Sequence, residues 1–171
     1  YATSYIPTSG STVERVAETC SGAGNATVFK NVNASGVLNI KCSLLDSVNS
    51  SKMTTISSGS DSNRVVIQFY GSNVFFYVFV GNALQCGISY TVPNILIENN
   101  YAVRWKLNEF SLWVNGSERG TRDTSGSVFP NSTLNELALY SNGTDVLYAN
   151  TKQLQVLSYQ TDAQMIALTS L

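Results

Sequence analysis

The sequence predicts an all-β chain folded as an antiparallel sandwich, closed by one short helix, and three observations carry that expectation. Tyr101, Val103, Trp105 and Leu107 alternate with Ala102, Arg104 and Lys106, while Phe110, Leu112 and Val114 alternate with Ser111, Trp113 and Asn115. A period of two is the mark of a strand buried on one face. Residues 64 to 70 and 74 to 80 are two β-rich runs flanking Gly71-Ser72-Asn73, a three-residue hairpin loop containing glycine. Helical spacing appears only at the C-terminal end, after Thr161-Asp162-Ala163-Gln164, which has the form of a capping box. Many short strands with one terminal helix make a sandwich the natural architecture.

Taken in order, residues 1–19 hold the turn signals Ile6-Pro7 and Ser9-Gly10-Ser11, with Val13 and Val16 as apolar contacts. They are expected to form an extended arm or linker ahead of a single domain over residues 20–171. Residues 21–25 form a loop. Residues 26–45 are strand material, with Val28, Val37, Leu38 and Ile40 interrupted by Asn33-Ala34-Ser35-Gly36. A Ser- and Asn-rich connection leads to a strand over 53–56, and residues 57–63 turn again. The near-continuous apolar character of 64–80 suggests central strands covered on both sides, by a loop or a neighbouring subunit. A short strand over 90–92 ends at Pro93-Asn94.

In the hairpin that begins at Tyr101, a two-residue loop of Asn108 and Glu109 pairs Leu107 with Phe110, Trp105 with Leu112 and Val103 with Val114. It also sets Arg104 opposite Trp113 and Lys106 opposite Ser111. Asn115 and Gly116 follow, and both tolerate the positive φ of a tight turn. Residues 134–140 alternate before a turn at 141–144. Leu154 and Val156 finish a strand, and Met165, Ile166 and Leu168 are spaced to put an apolar stripe on the closing helix.

The chain has 171 residues, enough for one domain with a core of ordinary size. Only 12 % of residues are charged and the net charge is −1, so the polar surface must consist largely of Ser, Thr, Asn and Gln. Phosphate recognition depends on clustered Lys and Arg, which disfavours nucleic acid; neutral polysaccharide is a more compatible partner. The longest apolar runs are too short to span a bilayer, so no membrane insertion is expected. The chain begins at Tyr1 without Met and shows no signal peptide, which suggests an excised piece or a processed product. Cys20, Cys42 and Cys86 form no C-x-x-C motif. Three free thiols suit assembly in a reducing cytoplasm, and one disulfide plus a free thiol is the alternative.

The run LWVNGSERGTRDTSG resembles the L-Y-V-N-G hairpin of concanavalin A-like and laminin-G-like jelly rolls, in the version common in bacteriophage tail proteins and carbohydrate-binding modules, with Trp113 in place of Tyr. SYIPTSGSTVERVAET is similar to the lead-in of many phage-encoded examples, and LNELALYSNGTDVLYANTKQLQVLSYQTDAQMIALTSL resembles their closing strands and terminal helix. The resemblance implies a jelly-roll sandwich in a tail fibre, spike or other virion protein. It further implies a bacterial surface glycan and other virion subunits as partners, in a trimeric or multi-copy assembly located in the virion. A purely structural virion domain and a carbohydrate-binding module of a secreted bacterial enzyme are the alternatives.

Catalysis finds little support. No His is present, which removes imidazole-based schemes. Glu98, Glu109, Glu118, Glu136, Asp123 and Asp145 do not reproduce the alternating carboxylates of jelly-roll glycosidases. For binding, Trp113 with Arg104 is the sharpest candidate, since a ring can stack on a sugar and a guanidinium can orient the ring and donate to hydroxyls. The alternative is a cross-strand pair covering sheet surface or a subunit contact. Tyr70 and Tyr77 are further ring candidates, with core or interface as their alternative. Asp123 and Asp145 fall in turns of the kind that could form a calcium site, but two isolated Asp residues make no motif and surface turn chemistry explains both. Sequons at Asn25, Asn33, Asn49, Asn115, Asn131 and Asn142 matter only in a host that glycosylates.

Overall fold

Strand dominates the computed structural model, which describes residues 23–140 and 145–171. In chain order the elements are β1 (Ser35–Leu44), β2 (Lys52–Ser57), β3 (Arg64–Tyr70), β4 (Asn73–Val80), β5 (Ala83–Thr91), β6 (Asn99–Lys106), β7 (Glu109–Val114), β8 (Ser117–Asp123), β9 (Glu136–Ala138), β10 (Ala149–Ser158) and α1 (Asp162–Thr169). They form two five-stranded sheets, ordered β10-β1-β6-β7-β8 and β5-β4-β3-β2-β9. Every strand pair within the sheets is antiparallel, and the architecture is a β-sandwich of jelly-roll type. The expected arm over residues 1–19, Cys20 and the turn at 141–144 lie outside the described residues.

Alternation decides what fills the space between the sheets. Leu38, Ile40, Val103, Trp105, Phe110 and Leu112 point inward from the first sheet, and Val65, Ile67, Phe69, Val74, Phe76 and Val78 from the second, all buried in one cluster. Trp105, buried as a polar-tipped ring must be, donates from its indole Nε1 to the Val32 carbonyl at 2.9 Å. Gly36 makes room for it: a Cβ there would stand 2.6 Å from Trp105 Cζ2. Cys42 and Cys86 are free thiols buried in this core.

The central hairpin forms in a different register from the one expected. Trp105 pairs with Phe110, Val103 with Leu112 and Tyr101 with Val114, so the turn residues are Leu107 and Asn108. Asn108 takes φ +56 and exchanges hydrogen bonds with Gly126 in both directions, while Lys106 and Glu109 flank the turn as an ion pair at 3.6 Å. Leu107 is thereby pushed out to 58 % exposure. The displacement is two residues, so each side chain keeps its face. Arg104 lies opposite Ser111, and Trp113 opposite Ala102.

Other boundaries moved for local reasons. Residues 26–34 turn rather than extend, because the Asn25 side-chain amide oxygen accepts from the backbone N–H groups of Thr27 and Val28; Val28 is left exposed while Phe29 tucks into the core. β5 is far longer than the stretch 90–92, and β8 was not legible as a strand. The strand expected over 134–140 shortens to β9.

The closing helix forms as the capping box requires. The Gln164 backbone N–H donates to Thr161 Oγ1 at 3.4 Å, and the Thr161 N–H donates to Gln164 Oε1 at 2.8 Å. Of the expected stripe, Met165 is buried and Leu168 half-buried, while Ile166 faces out. Met165 packs against Val37, Ala102 and Trp113 on the outer face of the first sheet. Among the described residues no helix is long and apolar enough to cross a membrane.

Candidate functional site

With α1 seated on the outer face of the first sheet, the outer face of the second stands without a helix among the described residues. β4 alternates strictly there: Val74, Phe76 and Val78 are buried, and Phe75, Tyr77 and Phe79 remain partly exposed on the other face. The Phe75 and Tyr77 rings lie 5.8 Å apart with planes within 9°, and Phe79 continues the row 6.2 Å beyond Tyr77. Arg64, ion-paired with Asp61, places its guanidinium 4.8 Å from the Phe79 ring centre.

Register supplies the neighbours. Phe75 lies between Gln68 on β3 and Ser89 on β5, and Tyr77 between Val66 and Gly87. Gly87 has no side chain to lay over its neighbour; a Cβ there would fall 3.7 Å from Tyr77 Cδ1 and Cε1. At that paired position no β5 side chain covers the Tyr77 ring, and Leu84 Cδ2 lies equally 3.7 Å from the same point. Burial pushes the Tyr77 phenol up, so at neutral pH it keeps its proton and both donates and accepts. Gln68 donates to Ser51, and Thr91 to Asn73 at 2.6 Å. The surface thus offers apolar rings rimmed by neutral polar groups, a combination suited to a pyranose, whose C–H face is apolar and whose equatorial hydroxyls form hydrogen bonds.

The structure separates the four ring and guanidinium candidates. Tyr70 and Tyr77 share this outer face; Tyr70, 43 % exposed, stands about 13 Å from Tyr77 along the strands at ~3.3 Å per residue. The expectation that Trp113 and Arg104 present themselves on an open hairpin face is corrected. Trp113 is 4 % exposed beneath Met165, and its indole donates to Ser111 Oγ at 2.9 Å. Arg104 is fully buried and ion-paired with Asp162 at 2.7 Å and Glu109 at 3.0 Å. It also donates to the Gln160 carbonyl at 3.0 Å and lies 5.2 Å from the Tyr159 ring centre and 6.0 Å from that of Trp113. Together these contacts clamp the helix and the segment before it onto the sheet. The Arg104 guanidinium, with Arg122 beside it, holds the Asp162 carboxyl below the usual carboxylate range.

Asp123 and Asp145 are not brought together with other carboxylates. Asp123 accepts from the Ser125 backbone and hydroxyl at 2.9 and 3.1 Å, an ordinary turn, and Asp145 contributes its carbonyl to the Met53 N–H at 3.1 Å. Among the described residues no group of three His, Cys, Asp or Glu is placed to hold a metal ion. Glu98 is bound to Lys41 and Lys152, and Glu118 to Arg122. Of the sequon residues, Asn33 is buried, its Nδ2 donating to the Phe29 carbonyl, and Asn115 donates to Asn99.

Sequence reasoning missed Phe75, Phe79 and Gly87. The run VFFYVFV is apolar at every position, so the period of two inside it was hidden, and it resembled a strand covered on both sides. The signal available was chemical: the odd positions are all rings and the even ones include both valines that reach the core.

No protein-family model and no curated protein sequence matches the chain. Its fold is similar to that of the Ruminococcus gnavus IT-sialidase CBM40, with 17 % identity, a TM-score of 0.66, and coverage of 89 % of this chain and 95 % of that one. The same module bound to alpha2,3 sialyllactose matches at 16 % identity and a TM-score of 0.66, over 89 % of this chain and 94 % of that one. Domain 4 of AbnA, a GH43 extracellular arabinanase from Geobacillus stearothermophilus in complex with arabinotriose, matches at 11 % identity and a TM-score of 0.60, over 81 % and 67 % of the two chains. At such identities the likeness is one of fold.

Proposed function

We propose that this chain is a non-catalytic glycan-binding domain that holds a saccharide against the outer face of β3, β4 and β5. The observation that carries this reading is the row Phe75, Tyr77 and Phe79, partly exposed beside Gly87 on the sheet face that the helix does not occupy. Rings supply stacking area, Gln68, Ser89 and the Tyr77 hydroxyl supply neutral hydrogen bonds, and no chemical step is involved. A shallow site of this kind binds weakly, and repetition in a multi-copy assembly raises the overall strength through effective concentration.

The likeness in fold to modules of a sialidase and an arabinanase supports glycan binding, and favours a carbohydrate-binding module of a secreted enzyme as a second setting. The lead-in SYIPTSG and the LWVNG hairpin support placement in a phage tail fibre or spike, where a bacterial surface glycan is the target and other virion subunits are neighbours.

The test is a glycan array with the 171-residue chain, beside Tyr77→Ala and Gly87→Val. Gly87 has an ordinary negative φ and room for a Cβ, so valine folds there and lays its methyls on the Tyr77 ring. Binding by the native chain that both variants lose supports the reading. Binding kept by both moves the site off this face, and no binding in multivalent form by any of them favours a purely structural role.

A further inference from the structure

A second feature lies where the edges of the two sheets approach each other, at β5 and β8. Gly120 takes φ +70, and a Cβ there would fall 2.5 Å from Ile88 Cγ2 and 3.2 Å from the Ser89 carbonyl oxygen. Only glycine lets β8 pass so close to β5. That approach lays Arg119 over Tyr90, with the guanidinium carbon 5.0 Å from the ring centre. The Asn115-Gly116 turn, with φ of +50 and +76, forms one wall. The segment after β5, through Val92, Asn94 and Ile97, forms the other, and together they bound a cleft of about 210 Å³.

The charge of this cleft is unbalanced. Arg64, Arg104 and Arg122 each pair with a carboxylate; Arg119, among the described residues, pairs with none, and its Nε is buried without a hydrogen-bond partner. No acidic residue lines the cleft. Asn115 donates to Asn99 at 2.8 Å, and Asn99 to the Asn94 carbonyl at 2.9 Å. The Asn94 side-chain oxygen accepts from the Leu96 N–H at 3.0 Å, which leaves its amide N–H donors unengaged among the described residues. What remains is a planar fork of donors held by its stack on Tyr90, a free amide, and an apolar wall. A guanidinium fork matches a carboxylate bidentately, and stacking on a ring reduces the freedom lost when it binds.

We propose that this cleft takes the carboxylate of an acidic sugar residue, with the sugar ring against Tyr90, Val92 and Ile97. The inference rests on the glycan-binding reading and adds charge selection to it. Its test is ¹H–¹⁵N NMR titration of the full chain with methyl β-glucuronide and with the methyl glycoside of N-acetylneuraminic acid, against their neutral methyl esters, sodium acetate and inorganic phosphate.

At least one acid is expected to give saturable shifts at Arg119 Nε–H and at the Asn115 and Ile97 amides. Its ester should bind about tenfold more weakly or worse, Arg119→Gln should lose binding by a similar factor, and Arg119→Lys should retain part of it. Silence with both acids would overturn the proposal, as would an ester equal to its acid, undiminished binding by a folded Arg119→Gln, or acetate or phosphate matching the sugar acids. Neutral oligosaccharide shifts around Tyr77 are followed in the same spectra. A silent cleft with a responding Tyr77 face rejects this inference alone, whereas a silent Tyr77 face rejects the reading beneath it.

Discussion

Replacing Arg104 by Met tests the most consequential reassignment in the structure, that of a guanidinium from a sugar contact to a clamp. Arg104 is 0 % exposed, while its partners Glu109 and Asp162 are 23 % and 53 % exposed. Removing one member of a fully buried ion pair costs about 3–5 kcal/mol because a charge is left stranded out of water. Here the stranded carboxylates reach solvent and Met fills most of the vacated space, so the loss should fall at about 2–3 kcal/mol, including the lost contacts with Trp113 and Tyr159. For a domain of this size each kcal/mol moves Tm by about 2–4 °C, which places the expected drop at about 4–12 °C.

Thermal unfolding at pH 7, followed by circular dichroism and by Trp fluorescence, reads it directly. A second arm uses pH. Asp162 is held below its ordinary value chiefly by its hydrogen bond from Arg104, so its contribution is present above the unfolded-state pKa of about 3.9 and is lost as pH falls through the lower folded-state value. The difference in Tm between native and variant should therefore shrink from pH 7 to pH 2.5. A variant within about 1 °C of native at pH 7, or a gap that stays constant on acidification, would refute the clamp. Glycan binding on the Tyr77 face should be unchanged in a folded Arg104→Met.

Other outcomes follow from single contacts. Trp113→Ala empties the space beneath Met165 and should cost about 3–5 kcal/mol in denaturant unfolding without selectively removing glycan binding. Thr161→Ala removes one half of the capping box and should cost about 1 kcal/mol, seen as a shift in the midpoint at constant slope. Gly87→Val should leave stability within about 0.5 kcal/mol of native while abolishing the array signal, so a loss of both would point to misfolding rather than occlusion. Burial pushes the Cys42 and Cys86 thiols up to about 12. In a Cys20→Ser background they should resist iodoacetamide at pH 8 in native protein and react once it is unfolded, as mass spectrometry would show; prompt native labelling would contradict their placement in the core.

How far the sequence carries can be judged element by element. The capping box at Thr161 is local chemistry, closed with Gln164 three positions on, and the Asn115-Gly116 turn follows from two residues that tolerate positive φ; both appear where expected, although the turn's hydrogen bonds run to Asn99, Asn100 and Thr169. The central hairpin is half local: its two faces follow from alternation, but its register rests on Asn108 being held by Gly126, a residue 18 positions away. β8 was illegible because Ser117–Asp123 carries no apolar face of its own and is a strand through its pairing with β7. The Arg119 cleft was invisible for the same kind of reason, since Arg119 meets Tyr90 only when Gly120 lets two sheet edges close on each other.

By itself, then, the chain determined the class of fold, most of the strand-forming runs, the apolar face of the central hairpin and the start of the helix, since all of these depend on spacing and on neighbours in sequence. Only tertiary structure decided which outward face stays open. Trp113 and Tyr77 both sit on sheet faces turned away from the core, and nothing in their own strands distinguishes them. The difference is that α1 folds back over the first and, among the described residues, no helix covers the second. Exposure belongs to the packing of distant segments, and a binding surface is read from exposure.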